Sequence, residues 1–178
     1  LEITDNGKIE QSSFSGLIEF QNVSFSYIKN QLVINEISFK INPGETMAIV
    51  GPTGSGKTTI TNLITKFYEI DSGNILIDGK DINKFKLDNI RKKIGVILQD
   101  VFLFADTIFN NITLYNSQIT IGDVESAAKD LEIHDFILSL PGGYDFNVSE
   151  RGSTLSAGQK QLIAFLRVLV NNPDILIL

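Results

Sequence analysis

From Leu17 the chain alternates between apolar and polar positions. Ile18, Phe20, Val23, Phe25 and Tyr27 recur at nearly every second residue, which predicts a strand with one buried face. Lys29-Asn30-Gln31 reads as a turn, and Val33, Ile34, Ile37, Phe39 and Ile41 continue the extended pattern. Asn42-Pro43-Gly44-Glu45 is a second turn, and the apolar run Thr46–Val50 behind it predicts a buried strand. The period then changes: Ile60, Leu63, Ile64 and Phe67 predict a helix over Thr58–Phe67. Asp71-Ser72-Gly73 reads as a turn, Asn74–Ile77 as a short strand and Asp78-Gly79 as a tight turn. A short helix is expected over 87–93 and a buried strand over Ile94–Leu98. From about 100 to 165 the spacing is mainly helical, broken at Pro141-Gly142-Gly143. Ile175–Leu178, after Asn172-Pro173-Asp174, predicts the entry to another buried strand. Residues 1–16 are polar and aperiodic and read as a linker, with one domain over 17–178.

Composition narrows the classes without naming one. With 43% apolar residues a core of useful size is available to 178 residues. A net charge of -6 argues against nucleic acid as the main partner, while leaving room for a local phosphate site. There is no cysteine, so neither a disulfide nor a thiolate metal site is expected, and the lone histidine, His134, argues against a histidine zinc site. No apolar run is long enough to span a bilayer and no signal peptide is read at the N-terminus.

The chemistry begins where strand pattern gives way to helix pattern. Gly51-Pro52-Thr53-Gly54-Ser55-Gly56-Lys57-Thr58 satisfies the phosphate-loop pattern in full. A triphosphate is a dense anion that backbone N–H groups must approach closely, and Gly51, Gly54 and Gly56 keep side chains out of the way. Lys57 would supply a point charge near the β- and γ-phosphates, the Thr58 hydroxyl can ligate Mg²⁺, and the following helix would point its positive end at the anion. The bland reading is a glycine-rich turn beside a surface lysine, but the predicted strand before it and helix after it argue against that. Further on, Leu155-Ser156-Ala157-Gly158-Gln159 precedes a helix marked by Leu162, Ile163, Phe165, Leu166 and Leu169. By itself this is an ordinary capped helix start with Ser156 as cap.

Together the two clusters, about a hundred residues apart, resemble the nucleotide-binding domain of an ABC transporter, and most closely an exporter-type one, from about Leu17 to Leu178. The pentapeptide resembles the family's signature motif, with Ala157 in place of a glycine. The resemblance implies an α/β fold: a P-loop NTPase core sheet, an N-terminal antiparallel β element and a helical insertion subdomain over about 100–165. It implies ATP and Mg²⁺ as ligands. Gly51, Thr53, Gly54, Ser55, Gly56, Lys57, Thr58 and Thr59 would hold the phosphates, and Tyr27 would stack on adenine. Gln99, the Q-loop glutamine, would help Thr58 hold the metal and would orient water. Ser156, Gly158 and Gln159 would meet the nucleotide of a second domain in a head-to-tail pair. Lys57, Gln99 and Ser156 are the expected catalytic residues. Read alone, Tyr27 is better taken as a strand-edge core aromatic and Gln99 as a solvated strand-end amide. Ser149-Glu150-Arg151-Gly152 resembles the exporter segment that touches a transmembrane domain, and Val101-Phe102-Leu103-Phe104 reads as core or as a groove for that domain's coupling helix.

Ile175–Leu178 matches the apolar half of the Walker B strand, and the aspartate and glutamate expected after it lie beyond Leu178. His134 precedes the signature and is no candidate for the switch histidine. The implied function is that of the ATP-binding domain of an exporter at the cytoplasmic face of a membrane, partnered by a second such domain and a transmembrane domain. The 178 residues alone are expected to hydrolyse ATP negligibly. A soluble, non-transport ABC ATPase is the alternative, and a P-loop kinase or GTPase a more distant one.

Overall fold

The computed structural model describes residues 5–148 and 154–178. By contact the chain divides into two compact units, one running to Ile94 and including Ile177, the other comprising Gly95–Leu176 and Leu178.

The first unit is built on an antiparallel sheet with strand order β2-β1-β3-β4. β1 (Ile18–Ile28) and β2 (Gln31–Ile41) form a hairpin turned at Lys29-Asn30, and β3 (Ser72–Ile77) pairs with the other edge of β1. The uneven spacing of apolar residues in β1 has a structural cause. Between Phe20 and Val23 the register slips, and Asn22 adopts φ 50°. The bulge is closed by serines: Ser38 Oγ accepts from Asn22 N at 2.8 Å, and Ser24 Oγ accepts from Glu36 N at 3.0 Å. Gly73 lies within β3 rather than in a turn, a correction to the expected Asp71-Ser72-Gly73 turn. The carbonyl of Asn22 would lie 2.3 Å from any Cβ placed at Gly73, so the bulge on one strand dictates glycine on the next. Asp78 and Gly79, at φ 50° and 74°, make the two-residue turn into β4 (Lys80–Asp81), as the sequence predicts.

α1 (Lys57–Ile64) and α2 (Leu87–Lys93) complete this unit. α1 is shorter than the expected Thr58–Phe67. Lys66 turns into the left-handed region at φ 51°, Phe67 N donates to Asn62 O at 2.8 Å, and Phe67 faces solvent with Arg91 over its ring. The largest departure is Thr46–Val50. It forms no strand, and Met47, Ile49 and Val50 are exposed, Val50 by 88%. A strand needs a neighbour for its N–H and C=O groups, and no strand pairs with this run among the described residues. Residues 5–16, although polar, are anchored along the unit. Lys86 N donates to Ile9 O at 2.9 Å, Phe14 packs edge-on against Phe85, and Asn89 exchanges two hydrogen bonds with the Gln11 backbone.

The second unit is helical: α3 (Ile108–Thr113), α4 (Ile121–Asp130), α5 (His134–Leu138) and α6 (Ala157–Leu169). Three of them start on hydroxyl caps, at Thr107, Thr120 and Ser156. Their apolar faces share one core that includes Leu103, Ile108, Ile112, Val124, Ile137, Ile163 and Leu166. β5 (Ile94–Val96) and β6 (Ile175–Ile177) form a two-stranded sheet. Both are less buried than expected. β5 stops at Val96 with Leu98 exposed, and Leu176 and Leu178 at the other strand are exposed too. Among the described residues each of these strands has one partner strand, which leaves its other edge uncovered.

Candidate functional site

The phosphate loop is a curl of backbone lying open on the first unit, with Gly51 to Ser55 exposed. Ser55 N closes a turn onto Pro52 O at 3.2 Å, and Gly54 adopts φ 83°. Gly56 is the residue with least room for substitution. It caps α1 at φ 90°, and a Cβ there would lie 2.6 Å from Ile34 Cδ1 and 3.4 Å from Val33 O. Chain direction therefore changes here in a way that favours glycine, and α1 begins directly behind the loop. No side chain caps α1, in contrast to the hydroxyl-capped helices of the second unit. The first N–H groups of such a helix lack intrahelical acceptors and are available to an anion.

Lys57 opens α1 and reaches back over the loop, where its ammonium donates to Gly51 O at 2.7 Å and Pro52 O at 2.8 Å. One cation thus gathers two of the loop's carbonyls. The Thr58 side chain is exposed, and its hydroxyl has no partner among the described residues. Thr59 is buried, and its Oγ1 lies 3.1 Å from the Tyr27 hydroxyl. Thr53 and Ser55 sit on the exposed rim. The arrangement fits a polyphosphate: a positive helix end, a mobile-length cation and backbone donors around a surface that side chains would fill. It also fits a hard divalent ion bound with that anion, because the Thr58 hydroxyl is free, whereas no group of three or more acidic or imidazole side chains among the described residues could hold a metal alone.

Tyr27 stands at the end of β1, 43% exposed, with Phe25 and Tyr68 set edge-on to its ring at 4.8 and 5.0 Å between centroids. Tyr68 was not singled out by the sequence, since nothing in its neighbours marks it.

The remaining expected residues belong to the second unit. Gln99 lies in an exposed bend after β5, without a partner among the described residues. Ser156 is the N-cap of α6. Its Oγ accepts from Gln159 N at 3.3 Å, and its own N–H donates to Gln159 Oε1 at 2.8 Å, a reciprocal capping box. Gln159 therefore spends its carbonyl oxygen on the helix start. Gly158 is exposed in the first turn, and a Cβ there would meet nothing within 4 Å. Internal packing does not require glycine at that position. Ser149–Gly152 falls outside the described residues.

The segment Val101–Phe104 divides by position. Leu103 is fully buried in the core, while Phe102 and Phe104 are exposed and packed edge-to-face at 5.1 Å. Its backbone is held by Asn111, a buried amide the sequence did not flag. Asn111 Oδ1 accepts from Phe104 N at 2.8 Å, and its Nδ2 donates to Phe104 O at 3.0 Å. Arg167 of α6 joins in, donating to Asn111 O at 2.8 Å and Phe102 O at 3.1 Å. Burial lowers the Arg167 pKa from its ordinary value. His134 is bonded to Tyr144, 2.9 Å from Nδ1 to the hydroxyl, and burial, then the charge of Glu125, pushes the Tyr144 phenol up to about 12.

Known proteins are similar to this chain. The family model described as ABC transporter matches residues 34–178. The putative multidrug export ATP-binding/permease protein YgaD of Bacillus subtilis is 45% identical over 171 residues, covering 96% of this chain and 30% of that protein. ATP-binding cassette sub-family B member 6 of Mus musculus is 49% identical over 165 residues, 92% of this chain and 19% of its own length. Among solved structures, a bacterial Atm1-family ABC exporter with ATP bound superposes with a TM-score of 0.91 at 41% identity, over 99% of this chain and 31% of the other. The chain thus spans under a third of the relatives it matches.

Proposed function

The chain belongs to the ABC transporter family, and on that premise we propose that it binds Mg-ATP at Gly51–Thr59 as the ATP-binding domain of an exporter, coupling nucleotide binding and hydrolysis to transport across a membrane. The observation that carries this reading is the glycine-shaped loop in front of the uncapped start of α1, with Lys57 folded over it. In the proposed complex Lys57 moves its charge from two loop carbonyls to the β- and γ-phosphates, and the first amides of α1 donate to the same oxygens. Thr58 would be the first unit's share of the metal site. The bound Mg²⁺ supplies neutralisation of the phosphate charge.

The second half of the proposal concerns partners. Ser156 and Gly158 would face the nucleotide of a second such domain, paired head to tail. The open space in front of Gly158 supports this, because the glycine has no internal reason to be there. The exposed pair Phe102 and Phe104 supports a groove that receives a transmembrane domain's coupling helix. The export names of the relatives favour this over a soluble ABC ATPase and support our proposal that the domain works at the cytoplasmic face of a membrane. Among the described residues no helix is long and apolar enough to cross a membrane. For these 178 residues by themselves the proposal is binding with negligible turnover.

Titration calorimetry with Mg-ATP on the chain and on Lys57→Ala, with phosphate release followed in parallel, tests the reading. Binding that is lost in Lys57→Ala is the expected result. Equal binding by both chains, or none by a chain shown to be folded, overturns it.

A further inference from the structure

We propose that Tyr68 is a positioning residue for the nucleotide base: it fixes the Tyr27 ring so that the base platform and the phosphate cradle are held as one body. The inference rests on the nucleotide reading above and extends it to a residue that does not itself touch ligand.

Tyr27 lies where β1 runs out, at the hairpin end of the ladder, and strand pairing alone holds it weakly. Three side chains make up the difference. The buried Phe25 meets its ring at 86° and Tyr68 meets it at 87°, while Phe25 and Tyr68 touch each other at 5.6 Å, so the three rings close a triangle. Edge-to-face pairs of this kind are directional as well as apolar. The hydroxyl end of Tyr27 is held separately, by buried Thr59 in the first turn of α1.

Tyr68 is itself held from both sides. Upstream, α1 ends in the left-handed turn at Lys66, which sets the exit direction of the chain. Downstream, Asp71 is clipped onto β1: its N–H donates to Ser24 O at 2.9 Å and its carboxylate accepts from Ser26 Oγ at 2.5 Å. Ser24 and Ser26 flank Phe25, so the clip grips the strand beside the ring that Tyr68 packs on. The result is a closed mechanical circuit. α1 carries the phosphate cradle at its start and Tyr68 just past its end, and both reach the same tyrosine on β1. A ring held this way loses little freedom on stacking with a base, which is the usual source of affinity from pre-organisation.

The test compares Mg-ATP with Mg-tripolyphosphate, which occupies the cradle and lacks a base, on the full chain. Tyr68→Ala is expected to weaken Mg-ATP about fivefold to tenfold and to leave tripolyphosphate within about twofold. Tyr68→Phe, which keeps the ring, is expected to restore ATP affinity. Tyr68→Leu, which keeps apolar bulk without an aromatic edge, carries the test if the alanine variant fails to fold, and should behave as alanine does. Equal weakening of both ligands, no weakening of ATP, or failure of Phe to rescue overturns the proposal while leaving ATP binding intact. Loss of both ligands in the unmodified chain overturns the nucleotide reading itself, and this inference with it.

Discussion

The two halves of the chain hold themselves together by different means and carry different charge. Residues 1–94 contain 11 basic and 11 acidic side chains, and residues 95–178 contain 4 and 10, so the whole net charge of -6 belongs to the second half. The first half is a bulged antiparallel sheet whose candidate site is made of backbone: positive-φ glycines and an uncapped helix. The second half is a set of capped helices around an apolar core, and its candidate residues are presented on the surface. A neutral half with local cations suits an anionic ligand brought close. An acidic half with exposed aromatics suits contact with another protein. Glycine therefore should mean different things in the two halves.

Substitution at the two glycines should separate them most clearly. Gly56→Ala meets both a positive φ and Ile34 Cδ1 at 2.6 Å, so it should cost about 1–3 kcal/mol and weaken Mg-ATP binding about a hundredfold or more. Gly158→Ala meets open space in a helix, so it should leave stability unchanged or raise it by up to about 1 kcal/mol. Its effect should fall on ATP-dependent pairing of two domains instead, read by sedimentation. A stable Gly56→Ala chain with normal affinity would break the contrast.

Next in size is the clamp within the second half. Arg167→Ala strands the carbonyls of Asn111 and Phe102, and the first belongs to a fully buried residue. Loss of about 2–3 kcal/mol is expected in urea unfolding. Arg167→Lys should recover less than half, since one ammonium cannot reproduce the guanidinium fork. A loss under about 0.5 kcal/mol would mean that water replaces the arginine.

These clamps show where sequence reading stops. The hairpins, the phosphate loop and α6 were legible because each is specified locally, by alternation, by glycine spacing or by a serine ahead of a helical period. Thr46–Val50 was misread because an apolar run states a demand for burial, and the partner that meets it is a matter of tertiary structure. Gly73 was misread because its reason sits in β1, opposite the Asn22 bulge. Tyr68 carried no local mark. For Asn111 a signal existed: an amide between Ile108 and Ile112, on a helix whose spacing buries it, has to find hydrogen-bond partners. The anchoring of residues 5–16 was hidden for the opposite reason, since its bonds are made by polar groups that composition assigns to solvent.

The two capping boxes of the second half offer a smaller but sharper comparison. Thr120 with Asp123 and Ser156 with Gln159 have the same construction. Thr120→Ala and Ser156→Ala should each cost about 1 kcal/mol of stability. Only Ser156→Ala is expected to weaken ATP-dependent pairing as well. Equal effects of both on pairing would reduce Ser156 to a helix cap.

The smallest effect concerns the strap of residues 5–16 and its hub, Asp78. Burial raises the pKa of this carboxyl, but hydrogen bonds from the Ser15 hydroxyl and N–H, Leu17 N–H and Gln11 outweigh it, and the net shift is downward from 3.8. A carboxyl with a lowered folded pKa contributes stability that is present above about pH 4 and is lost as pH falls through the folded value. Glu10, held low by its hydrogen bond and ion pair with Lys86, titrates in the same direction, so the acid response needs a control. Hydrogen exchange of the Ser15 and Leu17 amides, corrected for intrinsic rates, supplies one when Asp78→Asn is compared with the unmodified chain. Protection should fall below about pH 4 in the unmodified chain. In Asp78→Asn it should already be reduced near neutral pH and should change little on acidification, because the amide loses no charge. A parallel fall in both chains would assign the acid response to Glu10 and leave Asp78 as a neutral acceptor of hydrogen bonds.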